Sequence, residues 1–173
     1  MGSILGIDPG THCGWAVRGT NGEMTAGVWQ LKGGRHEGGG MRFVRLRLYL
    51  RQVLLAHDID MVFYEEVRRH KGVDAAHIYG GIIAVISSLC EEDEIPYAGI
   101  PVGRIKQQAT SKGNANKEAM VAAAEAQWPD AVIEDDNEAD ARWIAETGFF
   151  LYVSEEKTAP AKASKSVEEV SFL

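Results

Sequence analysis

Asn21-Gly22 constrains the fold of this 173-residue chain more than any other pair of residues. The dipeptide is a strong hairpin signal, because a two-residue turn between strands needs backbone conformations that Asn and Gly tolerate. It lies in Gly19-Thr20-Asn21-Gly22, between strand-like runs at 12–18 and 24–31. A third short apolar run, 3–7, precedes them and stops at Asp8-Pro9-Gly10, another turn signal. The chain is therefore expected to open as three consecutive antiparallel strands.

Beyond a glycine-rich loop at 32–40 the pattern changes. In 42–56, Phe43, Leu46, Leu50, Val53 and Leu54 recur at helical spacing, with arginines between them. Residues 61–64 form a buried strand ending at Glu65-Glu66, and Asp74 is placed to cap a helix from 75 to about 93. A short strand at 96–100 precedes two helices, 117–128 stopped by Pro129 and 138–147 stopped by Gly148. Three antiparallel strands followed by strand–helix crossovers make an α/β fold, a mixed five-stranded sheet whose last two strands are parallel, with helices on both faces. Residues 1–153 form the domain. Residues 154–173 are rich in Ala, Ser, Lys, Glu and Pro without periodicity and read as a flexible tail.

Two strands end in carboxylates. Asp8 interrupts an apolar run, although Asp is a poor strand residue. A rigid strand end fixes its oxygens in space, as a metal ligand requires, while Gly10 and Gly14 allow close backbone approach. Glu65 and Glu66 repeat the device, and neighbours on a strand point to opposite faces, so one of the two can meet Asp8. A third acidic stretch, Asp135-Asp136-Asn137-Glu138-Ala139-Asp140, opens the last helix. There Asp136 and Asp140 share a face, and Asp136 is placed at the N-cap. Acids at helix starts also cap and complement the dipole. Taken together, strand-end and helix acids that converge suit a hard divalent cation with oxygen ligands.

Net charge is −7, which opposes nucleic-acid binding, but the deficit is local. Residues 34–117 carry twelve basic against ten acidic side chains, and residues 118–173 carry four against thirteen. A basic face on the middle segment can still track phosphates. No run of about 18 apolar residues marks a membrane span, and the start lacks a signal-peptide pattern. Cys13 and Cys90 make neither a disulfide framework nor a zinc pattern. The expected setting is the reducing cytoplasm.

Four stretches, Gly6-Ile7-Asp8-Pro9-Gly10-Thr11, Tyr64-Glu65-Glu66-Val67, Arg104-Ile105-Lys106-Gln107 with Lys112-Gly113-Asn114-Ala115-Asn116-Lys117, and Glu138-Ala139-Asp140-Ala141, occur in this order across about residues 4–145. In them the chain resembles the RuvC-type Holliday junction resolvases of the RNase H-like superfamily, especially the short phage-borne forms. The resemblance implies an RNase H-like fold, a homodimer, a Mg²⁺ requirement that Mn²⁺ can satisfy, and paired nicking of opposite strands of a four-way junction. It makes Asp8, Glu65 and Asp140 metal ligands. The family's fourth acid usually stands where this chain has Asn137. Of its neighbours, Asp136 shares a face with Asp140, whereas Glu138 lies about 200° around the helix from it, so Asp136 is the chosen fourth ligand. Lys106 and Lys117 match lysines near the scissile phosphate, with Lys117 also in a catalytic role, and Lys112 falls in the same stretch.

Arg42, Arg45, Arg68 and Arg69 are candidate contacts to the DNA backbone, and His70 reads as a surface histidine. The apolar helix of 75–93 is the candidate dimer interface through Ile78, Ile82, Val85, Ile86 and Leu89, with Gly80-Gly81 permitting close approach; plain core packing is the alternative. Two other functions fit the same residues. Asp8, Gly10, Thr11 and Gly14 also match the phosphate loop of sugar-kinase or actin-like ATPases, a fold that needs two such domains. Asn137 leaves open a catalytically silent RNase H-like protein that only binds DNA.

Overall fold

The computed structural model describes residues 2–68 and 72–158. Arg69, His70 and most of the expected tail lie outside the described residues. Strands β1 (Ser3–Asp8), β2 (His12–Arg18) and β3 (Met24–Gln30) are followed by α1 (Met41–Ala56), β4 (Ile59–Glu66), α2 (Val73–Glu92) and β5 (Tyr97–Pro101). Helices α3 (Val102–Thr110), α4 (Lys117–Gln127) and α5 (Asp136–Thr158) complete the order. The five strands form one sheet in the order β3-β2-β1-β4-β5. β1, β2 and β3 pair antiparallel, and β4 runs parallel to both β1 and β5. This is the mixed α/β sheet expected from the sequence. The β2–β3 hairpin turns on Gly22, whose φ of +89° is one that L side chains rarely adopt.

Side chains alternate between two cores, one on each face of the sheet. Leu5, Ile7 and Val62 point to the layer of α1 and α2, where Leu46, Leu50, Ile82, Ile86 and Leu89 are buried. Ile4 and Phe63 point to the other layer, with Ile105 of α3, Met120 of α4 and Ile144 of α5. Helices therefore cover both faces, and α5 lies across β1 and β2.

The structure differs from expectation at α2, α3 and α5, for physical reasons. Helix α2 starts at Val73 after Gly72, so Asp74 sits in the first turn, where it complements the helix dipole instead of capping. Helix α3 was not expected: its apolar side chains, Val102, Ile105 and Ala109, do recur at helical spacing, but the helix has only nine residues and buries one of them, Ile105. Helix α5 begins two residues before the expected 138 and passes straight through Gly148. That glycine is a packing device, since a Cβ there would fall 2.3 Å from the Phe63 ring. The helix also carries residues 154–158, which the sequence assigned to the tail.

Helix α2 is long and apolar enough to cross a membrane by length and composition, with a mean hydropathy of 1.5 over its best stretch. Its Ile82, Ile86, Leu89 and Cys90 are nevertheless buried in the core of the domain. Three of the residues expected at a dimer interface, Ile82, Ile86 and Leu89, are thus core residues. Gly81 backs onto Phe43 of α1, leaving no room for a Cβ. The core-packing alternative holds for these positions.

Candidate active site

The site is assembled at the carboxyl ends of β1 and β4. In the parallel pairing Ile7 lies opposite Tyr64, so the next residues, Asp8 and Glu65, are neighbours. Alternation turns both toward the face covered by α5, while Tyr64 and Ile7 belong to the opposite core. Glu65, not Glu66, is therefore the strand-end acid that shares a face with Asp8.

Helix α5 brings the remaining acids. Gly14, paired with Asp8 across the hairpin, would place a Cβ 2.0 Å from the Asn137 carbonyl oxygen. A Cβ on Gly6 would lie 2.4 Å from the Ala145 nitrogen. Ala16, Ala141 and Ala145 form the rest of this contact, all fully buried. Small side chains on both partners let the helix backbone rest on the strands, and that depth carries Asp136 and Asp140 to Asp8. The helix start is fixed by Asp135, whose carboxylate accepts from the Glu138 backbone N–H (3.0 Å) and from Asn137 Nδ2 (2.9 Å). Asp135 is thus the capping residue, and Asp136 is the first residue of the helix.

The three candidates for the fourth acid position have separate fates. Asn137 is turned to Asp135. Glu138 is buried, ion-paired with Arg142 (2.7 Å), and accepts from the Glu134 backbone N–H (2.9 Å). Asp136 alone of the three faces the other acids, paired there with the Lys117 ammonium.

Charge crowding governs the cluster. The Asp8 carboxyl is held well above its ordinary pKa, first by burial and then by repulsion from Glu65, Asp140 and Asp136. Asp140 is pushed up to about 6 by burial, then by Glu65 and Asp136. Burial also raises Glu65, with Lys106 opposing. Asp136 moves the other way: the hydrogen bond from Lys117 holds its carboxyl low and raises the Lys117 ammonium. Four carboxylates thus face two lysines.

Glu65, Asp140, Lys106 and Lys117 line one cavity of about 150 Å³, closed by Val102, Ile105, Asn116 and Met120. Among the described residues no group of three or more acidic, histidine or cysteine side chains is gathered closely enough to hold a metal ion as it stands. The donor set, all carboxylate oxygen with repulsion left over, fits a hard divalent cation such as Mg²⁺.

Several other expected residues stand apart. Arg42 and Arg45 are on α1, in the layer on the far face of the sheet from the acids. Arg42 donates to the Gly39 carbonyl (3.1 Å), and Arg45 is paired with Glu37 (2.5 Å). Arg47 and Arg51 are likewise engaged by Glu92 and Asp93. The Glu37 contact also ties down the glycine-rich loop, since Glu37 accepts from the Gly34 backbone N–H (2.6 Å). Lys112 lies in the α3–α4 loop, its own N–H received by Thr110 Oγ1 (3.3 Å). Arg68 is beside Glu66 at the end of β4 (3.4 Å).

The sequence reading missed Tyr79. From α2, its hydroxyl donates to the Glu65 carbonyl (3.0 Å) and accepts from the Val67 N–H (3.2 Å), fixing the segment that carries Glu65. A tyrosine in an apolar helix carries no signal for that role. His12, at the start of β2, was also passed over; its proximity helps lower the Asp136 carboxyl.

No family model matches the chain, and no curated protein matches it. Solved structures do. RuvC of Thermus thermophilus is 23% identical, with a TM-score of 0.69 over 88% of this chain and 96% of that one. T. thermophilus RuvC in complex with a Holliday junction substrate is 22% identical, with a TM-score of 0.75 over 89% and 97%. The yeast mitochondrial Holliday junction resolvase Ydc2 is 15% identical, with a TM-score of 0.58 over 90% and 80%. The chain has the RuvC-type resolvase fold.

Proposed function

We propose that this chain is a divalent-metal-dependent endonuclease that cuts Holliday junctions and other branched DNA by paired nicking of opposite strands. The observation that carries the reading is the convergence of Asp8, Glu65, Asp136 and Asp140 from two strand ends and one helix, with Lys106 and Lys117 beside them. Likeness of fold to junction resolvases, one of them solved on its substrate, supports the choice of DNA.

Asp8, Glu65, Asp136 and Asp140 would hold Mg²⁺, or Mn²⁺ in its place. When bound, such ions activate water and stabilise the leaving oxygen of a phosphodiester. The protein's own share is to fix the carboxylates on rigid elements and to neutralise charge. Lys106 and Lys117 offset the negative charge that builds on the phosphate during cleavage. In the free protein Lys117 is held by Asp136, and a phosphate entering the cluster would compete with that carboxylate for the ammonium. Of the α1 arginines, Arg45, Arg47 and Arg51 are paired with acids and Arg42 donates to the Gly39 carbonyl, which favours phosphate contacts by Lys106, Lys112, Lys117 and the β4–α2 connection that carries Arg68 and Arg69.

A four-way junction offers two equivalent phosphates, and one domain carries one acidic cluster, so a two-fold homodimer matches the substrate. The exposed surface of α2 around Gly80, with half-buried Ile78 and Val85 at its edges, supports that helix as the interface. Both thiols are buried and free, in keeping with a reducing cytoplasm.

The test is cleavage of a synthetic four-way junction and of linear duplex, with Mg²⁺ and with EDTA. Metal-dependent cutting of the junction, lost in Asp8→Asn while junction binding persists, is the expected result. Wild-type cutting by Asp8→Asn would sink the site assignment.

A further inference from the structure

Glu138 carries a charge into the core on the side of α5 away from the other acids. It stands two residues from Asp136 and two from Asp140, about 200° around the helix from each. Its side chain is 5% exposed, and that of Arg142, one turn on, is 7% exposed. Both Glu138 oxygens are used. Oε1 accepts from Arg142 Nε (2.8 Å), and Oε2 accepts from the Glu134 backbone N–H (2.9 Å). The Arg142 guanidinium in turn lies over the Trp128 ring, 5.7 Å from its centroid, and Trp128 packs against Trp143 of α5 (4.9 Å).

A buried ion pair adds little stability over well-packed apolar side chains. An apolar pair, however, could not grip a backbone N–H. The connection from α4 to α5 is fastened to α5 near both of its ends, at Trp128 through Arg142 and Trp143, and at Glu134 through Glu138. The Glu134 end leads directly into Asp135, which caps the helix, and into Asp136, its first residue. Helix ends fray, and Asp136 is the one acid of the cluster that sits on a helix end. Its partners on Asp8, Glu65 and Asp140 stand on strands or a turn farther into the helix.

Resting on the reading of Asp136 as a metal ligand, we propose that Glu138 and Arg142 are positioning residues for it. They act through the chain, without contact to metal or DNA. By holding Glu134 and Trp128 against α5 they fix where the chain enters the helix, and so where the Asp136 carboxylate points. The buried charge serves the geometry of the fourth ligand more than the stability of the core.

The experiment uses the full chain without DNA. Glu138→Gln keeps the side-chain volume and opens no cavity, so it is preferred to alanine. Glu146→Gln is the control, since Glu146 is also a little-exposed acid of α5, paired with Arg18 (3.1 Å) farther along the helix. In EDTA, amide hydrogen exchange over 129–138 should run about tenfold faster in Glu138→Gln, the scale of one lost hydrogen bond to a charged group, and stay within about twofold of wild type in Glu146→Gln. Mn²⁺ is then titrated alone, with the free ion read by electron paramagnetic resonance. Glu138→Gln should weaken binding about tenfold, as loss of a group that orients a ligand does, and Asp136→Asn at least as much. In Asp136→Asn/Glu138→Gln the second change should add less than about twofold, because the residue it positions is already gone. Glu146→Gln should bind as wild type does.

A loss through charge alone would persist at full size in the double variant. Additive losses, or wild-type exchange and wild-type Mn²⁺ affinity in Glu138→Gln, overturn the positioning role. The nuclease reading fails separately. Non-additive losses of Mn²⁺ affinity, with no cutting of a four-way junction by the wild type, would remove the nuclease and keep the positioning role. Mg²⁺-dependent cutting with additive losses would do the reverse, and a wild type that binds no Mn²⁺ sinks both.

Discussion

Asp140→Asn separates what the acidic cluster does from what it costs the fold. In the folded chain the Asp140 carboxyl is pushed from an ordinary 3.8 up to about 6, by burial first and then by Glu65 and Asp136. One pKa unit corresponds to about 1.4 kcal/mol, so ionised Asp140 weighs against the fold by about 3 kcal/mol, trimmed to about 2 kcal/mol by its residual contact with solvent. Asparagine has nearly the same shape and no charge. Each kcal/mol moves the melting temperature of a chain this size by about 2–4 °C, so the variant should melt roughly 4–8 °C higher in EDTA at pH 7.5. The direction with pH is fixed. Because the folded pKa lies above the unfolded one, the folded state keeps its proton between 3.8 and about 6. The stability this gives is full below 3.8 and is lost as pH rises through about 6. The gap between variant and wild type should therefore be widest above pH 6 and close toward pH 4. Mg²⁺, as the proposed ligand of the folded cluster, should reverse the order by raising wild type more than the variant. Thermal melts across pH 4.5–8, in EDTA and in Mg²⁺, measure all of this. A variant that melts at or below wild type in EDTA above pH 6, or a gap that ignores pH, refutes the account.

Three further outcomes are expected. Glu138→Ala leaves Arg142 buried without its partner and should cost about 3–5 kcal/mol of stability, whereas Asp136→Ala, losing a half-exposed pair, should cost under about 1 kcal/mol yet remove most cutting; denaturant melts beside single-turnover cleavage rank the two, and the opposite ranking moves the fourth ligand to Glu138. Gly14→Ala places a methyl 2.0 Å from the Asn137 carbonyl and should destabilise by about 1–3 kcal/mol or more, with the melting shift on adding Mg²⁺ much reduced as α5 is lifted; an unchanged shift would show that the helix depth does not set the site. Tyr79→Phe should lose about 1 kcal/mol and slow single-turnover cutting without changing junction affinity, and normal cutting would reduce Tyr79 to a structural role.

Much of this architecture is written locally, and the parts that are not share a cause. The Asn21-Gly22 turn, the apolar strands ended by Asp8 and Glu65, and the helical period of 42–56 each depend on neighbours in sequence, and each stands where it was expected. The family resemblance points to Glu65, but the residues alone leave Glu65 and Glu66 open, because the choice rests on the register of β1 on β4, which no local pattern encodes. Helix α3 was missed because nine residues are too few for its apolar spacing to stand out, and α5 was cut short because Gly148 looks like a stop until Phe63 is seen against it. The arginines of 42–51 read as a DNA-facing stripe only while Glu37, Glu92 and Asp93 are distant in sequence; folding brings those acids to them.

The same contrast explains how a chain of net charge −7 supports a nuclease reading. Among the described residues, three of the four arginines on α1 are ion-paired in place, whereas Lys106 and Lys117, the lysines proposed to face the phosphate, sit beside the acids. The cluster exists because Gly6, Gly14, Ala141 and Ala145 let α5 lie on the strands. That contact must be strong enough to hold four carboxylates together against their mutual repulsion. Small residues supply the close approach, and the part of α5 beyond Gly148 adds Phe149, Leu151 and Tyr152 to the core that contains Phe63 and Ile144. A helix that ended at Gly148 would carry the same acids on a weaker anchor. The residues beyond the site are thus part of how the site is held.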